Sequence, residues 1–188
     1  VFMRSLGLVS ASAGITARGF SLRWSEIARW GVEQARRRSQ PAELENGKYP
    51  VVQLGRVIAD LENGWSPKCM DRPAENDEWG VLKLGAISFG RYNEAENKAQ
   101  PSTLIPAARF EVKTGDVLFV RGNVLRLVGA CSYVDATRPK LMMPDLMFRA
   151  VFKSGGLIEA RFLAEVMRLP HLRQQIESVA TGTSPTMK

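Results

Sequence analysis

The sequence predicts an α+β fold: a mixed, mainly antiparallel, twisted sheet with flanking helices and long loops. Three observations predict it. Short apolar runs fill the middle of the chain, namely Trp79–Leu84, Val117–Val120 and Met142–Phe152, and each suits a strand bounded by turn residues. The helical patterns gather toward the two ends instead of alternating with the strands, so a parallel βαβ arrangement is not indicated. Long polar stretches, Trp65–Glu78 and Gly90–Thr103, separate the strands, and such loops are uncommon in compact domains unless they carry function.

Residues 1–19 are rich in Gly, Ser and Ala and read as a flexible lead or a short edge element. Over 20–38 an apolar stripe of Phe20, Trp24, Ile27, Gly31 and Ala35 predicts a helix, with Ser21 as its cap. The opposite face carries Arg23, Arg29, Arg36, Arg37 and Arg38, either a solvated face or one lying beside a phosphate backbone. Residues 40–47 form a polar linker, which divides the chain into a lead with a basic helix (1–47) and a main domain (48–188). Leu54, Val57, Ile58 and Leu61 fall at i, i+3, i+4 and i+7 and predict a short helix ended by Asn63-Gly64.

Trp79–Leu84 is then a strand, followed by Gly85–Ser88. After a Gly115-Asp116 turn, Val117–Val120 is a strand that delivers Arg121, Gly122 and Asn123 to its end. Leu125–Val134 reads as a strand pairing back on it. Ser154–Gly156 makes a turn. Ile158–Ala180 is the longest helical pattern, with Phe162, Val166, Leu169, Leu172, Ile176 and Val179 as its stripe. Pro170 must kink it or split it in two. Trp24, Trp30 and Trp79 are expected to pack in a core or interface.

The bulk properties exclude several classes. At 188 residues and 45% hydrophobic content the chain can bury a core. No apolar run approaches the roughly 20 residues that span a bilayer. The centre of a signal-like start, Leu6–Val9, is shorter than the roughly 7–15 residues a signal peptide needs, so a cytoplasmic protein without membrane attachment is expected. Cys69 and Cys131 lie far apart with no CxxC pattern, and His171 is the only histidine; reduced thiols are expected rather than a disulfide framework or a zinc site. The formal charge of +7 favours a polyanionic partner.

Arg121 and Asn123 are the most informative pair. A guanidinium and an amide mounted on a stiff strand end are the groups that read guanine and adenine edges bidentately. The plain alternative for Arg121, and for Arg126, is ion pairing with Glu111, Asp116 or Asp135. Enzyme readings are poorly supported. The chain has no (Asp/Asn)-Pro-Pro-(Tyr/Phe) loop of a methyltransferase. Glu111-Val112-Lys113 lacks a preceding Pro-Asp, and Pro144-Asp145 is followed by Val151-Phe152-Lys153 without the carboxylate a magnesium nuclease requires. His171, the lone histidine, leaves a serine or cysteine nucleophile without a supporting triad and is expected at an exposed helical position.

Four blocks in order resemble the target recognition domain of the DNA specificity subunit of Type I restriction-modification enzymes. They are Val52–Ile58 with Asn63–Pro67; Trp79–Ser88; Val112–Arg121, with its Gly-Asp-Val-Leu strand and basic end; and Phe162–Pro170 with Thr181–Pro185. The resemblance covers about residues 48–188, and Arg56 stands where an acidic residue is usual after Leu-Gly. It implies a non-catalytic reader of double-stranded DNA. It also implies methyltransferase subunits that methylate adenine with S-adenosylmethionine, and translocating restriction subunits that join them. The chain itself would need no cofactor. The chain begins at Val1 and stops where a spacer helix is expected, so it reads as one recognition domain cut from a longer protein, or as a half-length subunit that would pair as a homodimer.

On that resemblance the DNA-contacting candidates lie on loops and strand ends: Arg121, Asn123 and Arg126; Trp65, Ser66 and Lys68; Lys83, Arg91, Tyr92 and Asn93; and Arg138 and Lys140 in a Pro-containing turn. Trp65 has the competing role of a loop anchor. Two other readings stay open: the recognition domain of a single-chain methyltransferase-nuclease, and a protein-interaction domain whose docking surface is the 158–180 helix.

Overall fold

Val117, Leu118, Phe119 and Val120 are all buried, which requires a strand covered on both faces. The computed structural model describes residues 52–75, 77–156 and 158–182. The expected lead, basic helix, linker, Trp24, Trp30 and the Thr183–Pro185 loop lie outside the described residues. In chain order the elements are a helical turn α1 (Leu54–Val57), β1 (Ile58–Asn63), β2 (Gly80–Leu82), β3 (Ile87–Ser88), β4 (Arg91–Tyr92), β5 (Asn97–Ala99), β6 (Val117–Val120), β7 (Cys131–Tyr133), β8 (Leu141–Met142), β9 (Met147–Phe152), α2 (Ala160–Val166) and α3 (Pro170–Val179).

The strands form a four-stranded antiparallel sheet in the order β1-β9-β6-β7 and a three-stranded sheet in the order β5-β2-β8, where β2 runs antiparallel to β5 and parallel to β8. The hairpin β3-β4 packs on β7, and its Gly90 N–H donates to the Cys131 carbonyl at 2.9 Å. Alternation along β6 and β9 builds two cores on the two faces of the larger sheet. Leu118, Val120 and Met147 meet Val81, Leu82, Leu141, Met142 and Met143 of the smaller sheet. Val117, Phe119 and Ala150 meet Leu163, Ala164 and Met167 of the helices. The expected mixed, mainly antiparallel fold is borne out.

The parts differ from expectation in five places. Only one turn of the helix expected over 54–61 forms. From Ile58 the chain is an edge strand on β9, with Leu61 opposite Ala150 and more than a third exposed. The same spacing of apolar residues suits either state, and the ladder to β9 decides for the strand. The expected loop 90–103 contains β4 and β5. Of the strand expected over 125–134 only Cys131–Tyr133 forms, after a turn through Gly129, whose φ is +69°. Pro170 does split the last helix, taking the first position of α3 where its missing N–H costs nothing. Leu163, Ala164 and Met167 are buried, and Leu172 and Ile176 of the expected stripe pack on the same core, while Phe162, Leu169 and Val179 point to solvent. Trp79 packs against the inter-sheet core as expected, and His171 is half-buried rather than exposed.

Candidate nucleic-acid interface

Several strands end at one place. Gly64, just past β1, packs so tightly on the 143–144 backbone that a Cβ there would lie 2.1 Å from the Met143 carbonyl oxygen. The Trp65 N–H donates to that same oxygen at 2.9 Å. This contact sets the 65–68 segment beside 143–146. The Arg121 N–H, just past β6, donates to the Leu146 carbonyl at 2.8 Å, and Gly122 packs against the Leu146 side chain. The C-terminal end of β2 leads into Lys83 at the same place.

Between these ends lies an open groove of about 360 Å³, lined by Ser66, Cys69, Lys83, Lys98, Asp145 and Leu146 among others. Lys98 pairs with Asp71 at 2.8 Å and Lys83 with Glu96 at 3.7 Å; both pairs are solvent-exposed. Such pairs are worth about 0–1 kcal/mol, so a phosphate can take either ammonium. Asp71, through its hydrogen bond and charge, raises the pKa of Lys98, which stays a cation. Burial pushes the Cys69 thiol up, and Lys98 partly offsets this. A larger cleft of about 530 Å³ lies along β1, and its wall carries Asp60 and Glu62 beside Arg109.

The expected contact residues fall into three groups. Ser66 and Lys83 line the groove, and exposed Lys68 sits between two of its lining residues. Trp65 is half-buried and packs on the inter-sheet core. Arg121 borders the groove through its backbone, but its guanidinium lies 5.6 Å from the Phe148 ring, on the helix side of the sheet. The ion pairs weighed for Arg121 and Arg126 do not form among the described residues: Asp116 is held by Arg149, Asp135 by Arg161, and Glu111 accepts the Lys140 N–H. Asn123 uses its side-chain oxygen to accept the Val124 N–H at 2.8 Å.

A second group sits on the hairpin and the 125–129 turn. Arg91 is exposed opposite Ser88, and Arg126 is exposed with its carbonyl accepting from Arg173 at 3.3 Å. Tyr92 is largely buried and its hydroxyl is bonded to Thr137 at 2.7 Å; burial pushes its pKa up to about 12. Asn93 caps a local turn through Ala95. The third group, Arg138 and Lys140, lies at the other end of β2. Arg138 donates to the carbonyls of Glu78 and Pro139, and the Lys140 ammonium to that of Asp77. These two brace the chain leading into β2 and are not among the residues lining the groove.

The sequence does not single out Lys98, and it offers Asp145 only as half of a nuclease motif. Among the described residues no three His, Cys, Asp or Glu side chains gather as a metal site, and no described helix is long and apolar enough to cross a membrane. Residues 52–182 hold 17 Lys and Arg against 15 Asp and Glu, a net +2 of the chain's +7. At the groove itself Lys68, Lys83 and Lys98 stand beside Asp71, Glu96 and Asp145, so the local field is mixed.

No protein-family model matches the chain. It is similar to the specificity subunit of the Type I restriction enzyme EcoEI from Escherichia coli, with 39% identity over 144 residues. The match takes in 76% of this chain and 24% of that subunit, so the chain spans about a quarter of the length of the relative it matches. The resemblance carried by the four blocks is thus borne out in the sequence at large.

Proposed function

We propose that this relative of a Type I specificity subunit is a target recognition domain, a non-catalytic module that directs a restriction-modification complex to one half of a split DNA site. The observation that carries the reading is the 39% identity to a specificity subunit over 144 residues. The groove at the strand ends supplies the physical means. Lys83, Lys98 and Lys68 offer ammoniums to phosphates, which position the duplex without reading it. Arg121, on the other side of the same sheet end, keeps its guanidinium clear of described carboxylates, and Asn123 follows it. A duplex laid across the strand ends touches both sides, and Arg91 and Arg126 extend the contact.

In this reading methyltransferase subunits dock on the protein that carries the domain and methylate adenine with S-adenosylmethionine. Translocating restriction subunits join that assembly. A second recognition domain, on the same polypeptide or in a second copy, reads the other half-site. Methylome sequencing of the host with and without the intact gene tests the reading: deletion is expected to erase one bipartite adenine-methylation motif. An unchanged methylome overturns it. In vitro, the logarithm of affinity is expected to fall with the logarithm of salt by roughly 0.9 per phosphate contact.

A further inference from the structure

We propose that Asp145 reads a base: its carboxylate accepts the N4 amino group of a cytosine in the DNA lying on the groove. The inference rests on the DNA-binding reading above and deepens it.

Asp145 is exposed and shares the groove wall with Lys83 and Lys98. A carboxylate on a phosphate-facing surface repels the ligand unless it meets a donor. Neither lysine is paired with it: Lys98 pairs with Asp71 and Lys83 with Glu96, and no ion pair to Asp145 forms among the described residues. Its side chain is nevertheless fixed. The Ser66 hydroxyl donates to Oδ1 at 2.5 Å, and the Asp145 N–H donates back to the Ser66 oxygen at 3.0 Å. The two residues are 79 positions apart, and the close approach of Gly64 to Met143 brings them together. Proline at 144 restricts the backbone just before the carboxylate. Oδ1 is thereby occupied, and Oδ2 has no described partner.

A mounted acceptor with one open oxygen selects among base edges. Guanine presents only acceptors in the major groove, and adenine sets its N7 acceptor beside its amine. Cytosine presents an amine without that neighbour. The chemistry therefore favours a C·G pair.

The test is selection from a duplex library with a randomised core, using the full chain, Asp145→Asn and Ser66→Ala, with each variant's fold checked by thermal melting. The wild type is expected to enrich a motif with a fixed C·G pair. In Asp145→Asn, Ser66 keeps the amide oxygen and an N–H faces the base. Discrimination at that one pair is expected to fall about tenfold, while random-sequence duplex binds more tightly once the carboxylate's charge is gone. Ser66→Ala is expected to blur the same position. An unchanged motif, or a loss spread evenly over all positions, overturns the inference while leaving DNA binding intact. Failure of the wild type to retain any duplex overturns the inference together with the reading beneath it.

Discussion

Arg149, on one strand of the larger sheet, and Arg121, just past the end of the neighbouring strand, meet opposite fates. Arg149, on β9, directs its guanidinium to the side of the inter-sheet core. It makes five hydrogen bonds: two to Glu62, one to Asp116, and one each to the carbonyls of Glu111 and Arg109, at 2.7–3.1 Å. A guanidinium has five N–H donors, so none is left for a ligand. Burial would lower its pKa, but the bonds to Glu62 and Asp116 outweigh it and raise the value. Arg121, just past β6, lies over the Phe148 ring and donates to no described side chain. The residue type is the same; the count of satisfied donors separates an arginine that holds the fold from one that can be offered to a partner.

Removing Arg149 should give the largest effect. Arg149→Ala strands Glu62 and Asp116, and is expected to lower the unfolding free energy by about 3–5 kcal/mol in urea titration. A loss under about 1 kcal/mol would break the contrast. Gly64→Ala comes next, because its methyl group meets backbone; the strand end must shift, at about 1–3 kcal/mol, and duplex affinity should fall with it. Arg121→Ala sharpens the comparison from the other side. Stability should change by no more than about 1 kcal/mol, the worth of its contact with Phe148. The Kd for a selected duplex should rise about tenfold.

Tyr92 supplies a smaller check on what is scaffold. Its phenol, raised from 10.0 to about 12 by burial, is neutral when folded and ionises more easily when unfolded. Its contribution to stability is full below about pH 10 and is lost as pH rises through about 12. Absorbance at the tyrosinate band should show one late-titrating phenol that Tyr92→Phe removes, with duplex affinity unchanged. The mildest probe is Cys69, which lines the groove. Bound duplex should slow its reaction with a thiol reagent, whereas buried Cys131 should react only on unfolding.

The parts of the fold legible in the sequence were those decided locally. Val117–Val120 has one reading because four consecutive apolar residues after a Gly-Asp turn need cover on both faces. Pro170 splits its helix wherever that helix packs. β1 was not legible, because Leu54, Val57, Ile58 and Leu61 suit a helix until β9, far along the chain, offers a ladder. The stripe of the last helices was legible only in part: Leu172 and Ile176 do pack on the core, but Phe162, Leu169 and Val179 recur at helical spacing as well as Leu163 and Met167 do, and the position of the sheet chooses between them. Of the candidate site, Ser66, Lys68 and Lys83 were legible as polar residues next to strand ends. Lys98 and Asp145 were not, because the groove is assembled from separate segments and neither residue carries a signal of its own. Arg138 and Lys140 looked equally suitable until their bonds to the 72–79 loop appeared.

None of the groups that saturate Arg149 lines the groove. Substitutions at 66, 83, 98 or 145 therefore leave that joint closed. Descendants of such a protein could wander toward new target sequences one side chain at a time, while the inherited framework is purged of change at 62, 116 and 149. Innovation and upkeep would then answer to separate selective pressures within a single polypeptide.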